Sequence, residues 1–155
     1  MKIRKAVLKD KEALAQLYLQ FWKAHSAKDP LIELEKKWGM KEAVKDAEKD
    51  ISKRCTYIFV AEEKGRVIGM IEVIIKKNFD IFKVKRFGYV NTLVIDTRHR
   101  KSGIGRKLVN HAAGFLKKKS ITYMRVNVYA SNKKAKEAWL KMGFMPESQF
   151  MLKRI

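Results

Sequence analysis

The hydrophobic pattern divides this chain into short alternating runs and longer stripes at helical spacing. Residues 2–7 alternate charged and apolar side chains and predict a first strand. Ala13, Leu14, Leu17, Tyr18 and Phe21 then recur on one face of a helix that Asp10 caps and that fades near His25. Pro30 suits the first turn of a second helix capped by Asp29, with Leu31, Leu34 and Trp38 as its stripe. Beyond Gly39, the stripe Met40, Ala43, Val44, Ala47 and Ile51 either continues that helix or forms another. His25, Asp29, Glu33 and Glu35 are the polar residues of interest in this stretch, read first as caps and solvated faces.

Residues 56–61 are β-branched and aromatic, Glu63-Lys64-Gly65 reads as a hairpin turn, and residues 66–75 return as a long apolar strand. Glu72 interrupts the return strand on the face that carries Met70 and Ile74; an edge or partly solvated position accounts for it, or an active-site carboxylate does. Residues 76–86 form a loop whose Phe79, Ile81 and Phe82 are expected to fold back onto the protein. Residues 87–95 are apolar on both faces and predict a strand in the middle of the sheet. The helix after it packs through Leu108, Val109, Ala112, Phe115 and Leu116. Residues 123–129 alternate again and predict a fifth strand, parallel to the fourth by the right-handed crossover rule. Ser131 or Asn132 caps a last helix, whose stripe is Ala135, Ala138, Trp139 and Met142 and which Gly143 ends. Phe144, Met145, Pro146 and residues 150–153 are expected to close the sheet as a terminal hairpin.

Between the fourth strand and its helix lies Arg100-Lys101-Ser102-Gly103-Ile104-Gly105. A strand that stops in a basic, glycine-containing loop and restarts as a helix makes an anion site, because the first helical turn leaves its N–H groups unpaired at the positive end of the dipole. Glycine lets the backbone take unusual dihedrals and lets phosphate oxygens approach the amides. The position of a third glycine in a dinucleotide fingerprint holds Leu108, and no Gly-Lys-Ser/Thr follows, so neither that motif nor a P-loop is present.

At 155 residues the chain reads as one domain, able to bury about two-thirds of its unfolded surface. The N-terminus lacks the apolar core of a signal peptide and no apolar run approaches a membrane span, so a cytoplasmic protein with no membrane partner is expected. A single cysteine, Cys55, excludes an intramolecular disulfide and reads as a small hydrophobe; His25, His99 and His111 stand at no metal-ligand spacing, so no metal is expected. The net charge of +20 favours polyanionic partners, whether nucleic acid, an anionic surface or a phosphate-rich small ligand, although the lysines are spread along the chain.

The basic loop with its strand and helix, followed at the family's spacing by Asn132-x-x-Ala135-x-x-x-Trp139-x-x-x-Gly143-Phe144, resembles the GNAT superfamily of N-acetyltransferases over essentially the whole chain. The resemblance implies an α/β (α+β) fold with a mixed, mostly antiparallel sheet of six to seven strands, splayed between strands 4 and 5 and flanked by about four helices. It implies that acetyl-coenzyme A is wedged into that splay. Leu93 and Ile95 would meet its acetyl end, the loop from Arg100 through Lys101, Ser102, Gly103, Ile104 and Gly105 to Arg106 would bind its pyrophosphate, and Asn132 and Trp139 would lie along its arm. The implied reaction is direct attack of a neutral amine on the thioester, the acceptor being a protein lysine, an N-terminus, or a small amine or polyamine.

Two positions depart from the family pattern. Trp139 stands where many members carry a tyrosine that protonates the leaving thiolate, and an indole N–H is no useful acid. Tyr129 is the substitute candidate, with packing as its alternative role. Asn91 stands nine residues before Arg100, where several members carry a glutamate base. Asn91 and Tyr89 ordering a water, or Glu72 itself, are the candidates for removing the amine proton. The competing reading is a basic module that keeps the fold, has lost catalysis, and binds nucleic acid or regulates. A homodimer is compatible with the resemblance.

Overall fold

The computed structural model describes residues 1–26 and 30–155. The expected cap Asp29 lies outside the described residues. Among them the strands are β1 (Lys2–Lys5), β2 (Thr56–Glu63), β3 (Arg66–Lys77), β4 (Arg86–Ile95) and β5 (Met124–Val126), and the helices are α1 (Lys11–Ser26), α2 (Met40–Ser52), α3 (Ile104–Lys118) and α4 (Lys133–Lys141). The strands form one sheet in chain order, antiparallel except for the parallel β4–β5 pair. Lys64 and Gly65, both at positive φ, make the tight turn between β2 and β3.

Each face of the sheet buries its own core. On one side Ile71, Val73 and Val90 pack against Leu108, Ala112 and Leu116 of α3. On the other, Val60, Met70 and Val94 pack against Leu14, Leu17 and Tyr18 of α1 and Ala47 of α2. Arg4 fastens the start of α1 to the sheet edge. Its guanidinium donates to both oxygens of Asp10, at 2.7 and 2.9 Å, and to Glu62. Asp10 also accepts the Val7 N–H at 2.9 Å, so it caps the turn that enters α1 from inside that turn. The Arg4 hydrogen bonds hold the Asp10 carboxyl below the usual carboxylate range.

Four expectations need correction. No helix forms over residues 30–38: Pro30–Ile32 is a single 3-10 turn, Leu31 is exposed, and α2 begins separately after Gly39. Of the Leu31, Leu34 and Trp38 stripe, Trp38 packs against the α1 and α2 core while Leu31 is exposed, and a face covered only at one end does not stabilise a helix. The sheet has five strands, not six to seven. Residues 144–155 form no strand; Pro146 supplies no N–H to a ladder, and Phe150, Met151, Leu152 and Ile155 are exposed. Phe79, Ile81 and Phe82 do not fold back but stand exposed at the tip of the β3–β4 hairpin.

Candidate functional site

β4 changes character at Asn91. Its register against β3 runs Thr92↔Glu72 and then Val90↔Val73, which leaves Asn91 as an extra, unpaired residue. Such a bulge reverses the in–out alternation of the strand. Before it, Val90 belongs to the α3 core; beyond it, Leu93 and Ile95 take that side while Val94 faces α1 and α2. A strand apolar on both faces hides this reversal in the sequence.

The parallel pairing ends at the same place. β5 matches β4 only at Gly88↔Met124, Tyr89↔Arg125 and Val90↔Val126. From Asn91 and residue 127 onward the two strands part, so the N–H groups of Leu93 and Ile95 that face the gap are outside the ladder and able to bind an extended ligand, while the Ile95 carbonyl is taken by Arg100. Tyr129 lies on the far side of this gap, its ring 5.7 Å from that of His25, which in turn stacks on Phe21 at 4.2 Å. His25 Nδ1 is 2.7 Å from the Phe21 carbonyl. A carbonyl only accepts, so this nitrogen carries a proton.

At the end of β4, Asp96 accepts the Arg98 N–H at 3.0 Å and Arg100 Nε donates back to the Ile95 carbonyl at 3.2 Å. The Arg98 hydrogen bonds pull the Asp96 carboxyl down to about 2. Lys101 and Gly103 both sit in the left-handed region, at φ 61° and 77°, and Gly103 is the N-cap of α3. The Lys107 N–H is the first to close onto Gly103, at 3.2 Å, so the amides of Ile104, Gly105 and Arg106 have no intrahelical acceptor. A Cβ built on Gly103 meets nothing within 4 Å, and one on Gly105 only touches Leu93 at 4.0 Å. The space over these amides is open, as a phosphate cradle needs. Ser102 Oγ donates to the His99 carbonyl, which steadies the loop from within.

Arg106 and Asn132 connect this loop to α4. Arg106 donates to the Lys141 carbonyl at 2.8 Å. Asn132 caps α4 by accepting the Ala135 N–H at 3.3 Å, which leaves its amide Nδ2 as the group able to donate to a ligand. Trp139 points inward, buried against Phe144 at a ring distance of 4.8 Å.

On the opposite face of the sheet a cleft of about 180 Å³ opens between α1, α2 and the strands. Glu72 forms its floor, only 2% exposed in the central strand β3, so the edge or solvated explanation for this carboxylate does not apply. Asn91 Nδ2 donates to Glu72 Oε2 at 2.8 Å and Thr92 Oγ1 to the same oxygen at 3.2 Å. Burial raises the Glu72 carboxyl above its ordinary range, those two hydrogen bonds oppose the shift, and the charge of Asp50 adds to it. Asp50 is itself raised by burial and accepts from Tyr18 at 3.4 Å; Asp46 accepts from Trp38 Nε1 at 3.1 Å.

The fold thus unites Glu72 with Asn91, and the anion loop with the end of β4, while Tyr129 stands across the gap and Trp139 sits in the core. Asp46, Asp50, Tyr18 and Trp22 were not singled out by the sequence, and Glu33 and Glu35 are exposed and do not line the cleft. The available signal was spacing: Asp46 and Asp50, like Tyr18 and Trp22, stand four apart on one helical face.

The site thus combines a parallel strand pair that parts with a helix N-terminus whose first amides lack intrahelical acceptors. The chain belongs to the Acetyltransferase (GNAT) family, whose model matches residues 12–144. It is therefore placed among acyl-transferring enzymes. Its fold is similar to that of the tetramutant of BH1408 protein from Bacillus halodurans, with 19% identity, all of both chains covered and a TM-score of 0.86. It is similar also to aminoglycoside N-acetyltransferase AAC(6')-Iy in complex with CoA, with 15% identity, 99% and 93% of the two chains covered and a TM-score of 0.80. Glucosamine-6-phosphate N-acetyltransferase from Arabidopsis thaliana shares 24% identity over 99% of this chain and 97% of its own, with a TM-score of 0.70. No curated protein matches the chain in sequence.

Proposed function

We propose that this chain is an N-acetyltransferase that moves the acetyl group of acetyl-coenzyme A directly to a primary amine held in the cleft between α1, α2 and the sheet. The observation that carries the reading is the bulge at Asn91. One residue ends the β4–β5 pairing, turns the Leu93 and Ile95 side chains to the α3 side and holds the buried Glu72.

The amides of Ile104, Gly105 and Arg106, with the charges of Arg100, Lys101 and Arg106, bind the pyrophosphate, and Asn132 Nδ2 donates to the pantetheine arm. Backbone groups of Leu93 and Ile95 that face the gap orient the arm and the thioester carbonyl. The neutral amine bonds to the acetyl carbon as the carbon–sulfur bond breaks, its remaining extra proton replacing the one that Tyr129 gives to the sulfur; the first proton of the bound ammonium has by then gone to Glu72. Its raised affinity for a proton suits it to that task, and Asn91 fixes its orientation. Tyr129 donates to the departing sulfur from the other wall. In the cleft, three carboxylates (Asp46, Asp50, Glu72) stand against two lysines (Lys49, Lys53), an excess of one carboxylate on a chain of net charge +20. That balance suits one ammonium, so a lysine side chain, an N-terminus or a small monoamine fits better than a polyamine.

Calorimetric titration of the nucleic-acid-free protein with acetyl-coenzyme A is expected to show saturable binding that persists at higher salt, and a panel of amines and lysine peptides is expected to release coenzyme A. Tyr129→Phe should lower that turnover by about 10²-fold or more with unchanged cofactor affinity, as loss of a general acid does. Equal turnover would assign Tyr129 to packing against His25. Failure to bind acetyl-coenzyme A, with salt-sensitive affinity for RNA retained, would replace the enzyme reading by the basic-module reading.

A further inference from the structure

The β3–β4 hairpin ends in a tip that the acetyl-transfer site does not use. Phe79, Ile81 and Phe82 are 75%, 86% and 47% exposed, three large apolar side chains within four positions. Isolated exposed hydrophobes are ordinary, but a contiguous projecting set marks an interaction surface. Around the tip stand Lys76, Lys77, Lys83, Lys85 and Arg86, all exposed, against the single carboxylate of Asp80. Lys85 Nζ donates to the Asp80 carbonyl, and Lys76 Nζ sits 3.8 Å from the centre of the Tyr89 ring, so these cations are held close to the hairpin.

More positive charge joins from the neighbouring helix. Arg86 donates to the Lys119 carbonyl at 3.5 Å, which brings the exposed Lys117, Lys118 and Lys119 at the end of α3 beside the hairpin base. The anion loop lies at the other end of α3, whose 15 residues separate the two ends by roughly 22 Å. The hairpin base and its basic collar therefore stand at the opposite end of α3 from the anion loop.

We propose that this tip docks on the surface of an anionic phospholipid bilayer, its three apolar side chains entering the interface while the lysine and arginine collar meets the headgroups. The chemistry matches on both counts, since apolar insertion and attraction of a polybasic surface together give the two signals that stable peripheral association requires. Nucleic acid would also be drawn by the charge, but the tip is poorly made for it. Phe79 and Phe82 are engaged edge-on with each other at 6.2 Å, Ile81 offers no stacking face, and the Asn78 side-chain Oδ1 is occupied by the Phe79 N–H at 3.0 Å.

Sedimentation of the full chain with phosphatidylcholine vesicles, with and without about 30% phosphatidylserine, tests this directly, in a composition range where anionic lipid attracts polybasic surfaces. Binding is expected only with phosphatidylserine, and the Phe79→Ser, Ile81→Ser, Phe82→Ser triple variant should weaken it at least about tenfold while acetyl-coenzyme A affinity stays unchanged. Lys83→Glu with Lys85→Glu should weaken it similarly. In Ile81→Trp, brominated acyl chains should quench the added tryptophan emission. Absence of binding, full retention by the triple variant, no quenching, or displacement from vesicles by a single-stranded RNA that binds more tightly would each overturn the proposal. Because vesicle binding needs no acceptor amine, it stands or falls separately from the acetyl-transfer reading.

Discussion

Gly105→Val is expected to raise the acetyl-coenzyme A dissociation constant by about 10- to 100-fold with the fold intact, because hydrogen bonds from amides to a charged phosphate are worth about 1.5–3 kcal/mol each. The position separates binding from stability. Gly105 lies in the first turn of α3, and a Cβ there meets only Leu93, at ordinary contact distance. Helix propensity favours valine over glycine, so the variant should melt no lower than the parent. What the side chain fills is the space over the free amides. Gly103→Val should weaken binding as much but also cost about 1–2 kcal/mol of stability, since Gly103 sits at φ 77°. Titration calorimetry beside a thermal melt distinguishes the two effects. Parental affinity in both variants would remove the phosphate cradle from this loop.

Glu72→Gln should lower turnover by about 10²- to 10⁴-fold at neutral pH and leave acetyl-coenzyme A affinity unchanged, as loss of a general base does. The same change should not destabilise the protein at that pH. An unfolded glutamate ionises near about 4.3, whereas burial holds Glu72 in the fold above its ordinary range. Between those two values the folded state keeps a proton that the unfolded state has released. Stability therefore falls as pH rises through that window and is highest below it. Glutamine removes this dependence, so the melting temperature of the variant relative to the parent should climb as pH rises from about 4 toward neutrality. A pH-independent difference would contradict the raised carboxyl, and full activity would move proton removal to another group. The two outcomes are independent of each other, because one reads the buried charge and the other reads its use.

Much of this architecture was legible from periodicity. β2, β3 and their turn, the helix α3 and the parallel β5 are elements whose apolar pattern coincides with the face they bury, and β4, apolar on both faces, lies inside the sheet between β3 and β5. The anion loop was legible for a different reason. Glycines and a helix start act through backbone geometry, which local sequence largely determines. Periodicity misled at residues 30–38 and 144–155, where Trp38 and Phe144 touch a core but Leu31 and residues 150–152 stay exposed, because an amphipathic stripe is stable only against a surface that covers its length. Composition alone leads one to expect the tip residues Phe79, Ile81 and Phe82 to fold back onto the protein, and only their place at the end of a long hairpin leaves them exposed.

By itself, then, the sequence determined the order of elements, the central strand and the basic loop, since these depend on side-chain periodicity and on backbone freedom within a few residues. Tertiary structure alone decided the chemistry of the cleft. The extra residue at Asn91 is defined only by register against β3, and the burial of Glu72 only by the helices laid across it. Its meeting with Asn91, and the joining of Asp46 and Asp50 to the same cleft, require contacts between distant parts of the chain. A carboxylate becomes a proton acceptor through the water it loses and the charges brought near it, and both are properties of the assembled fold.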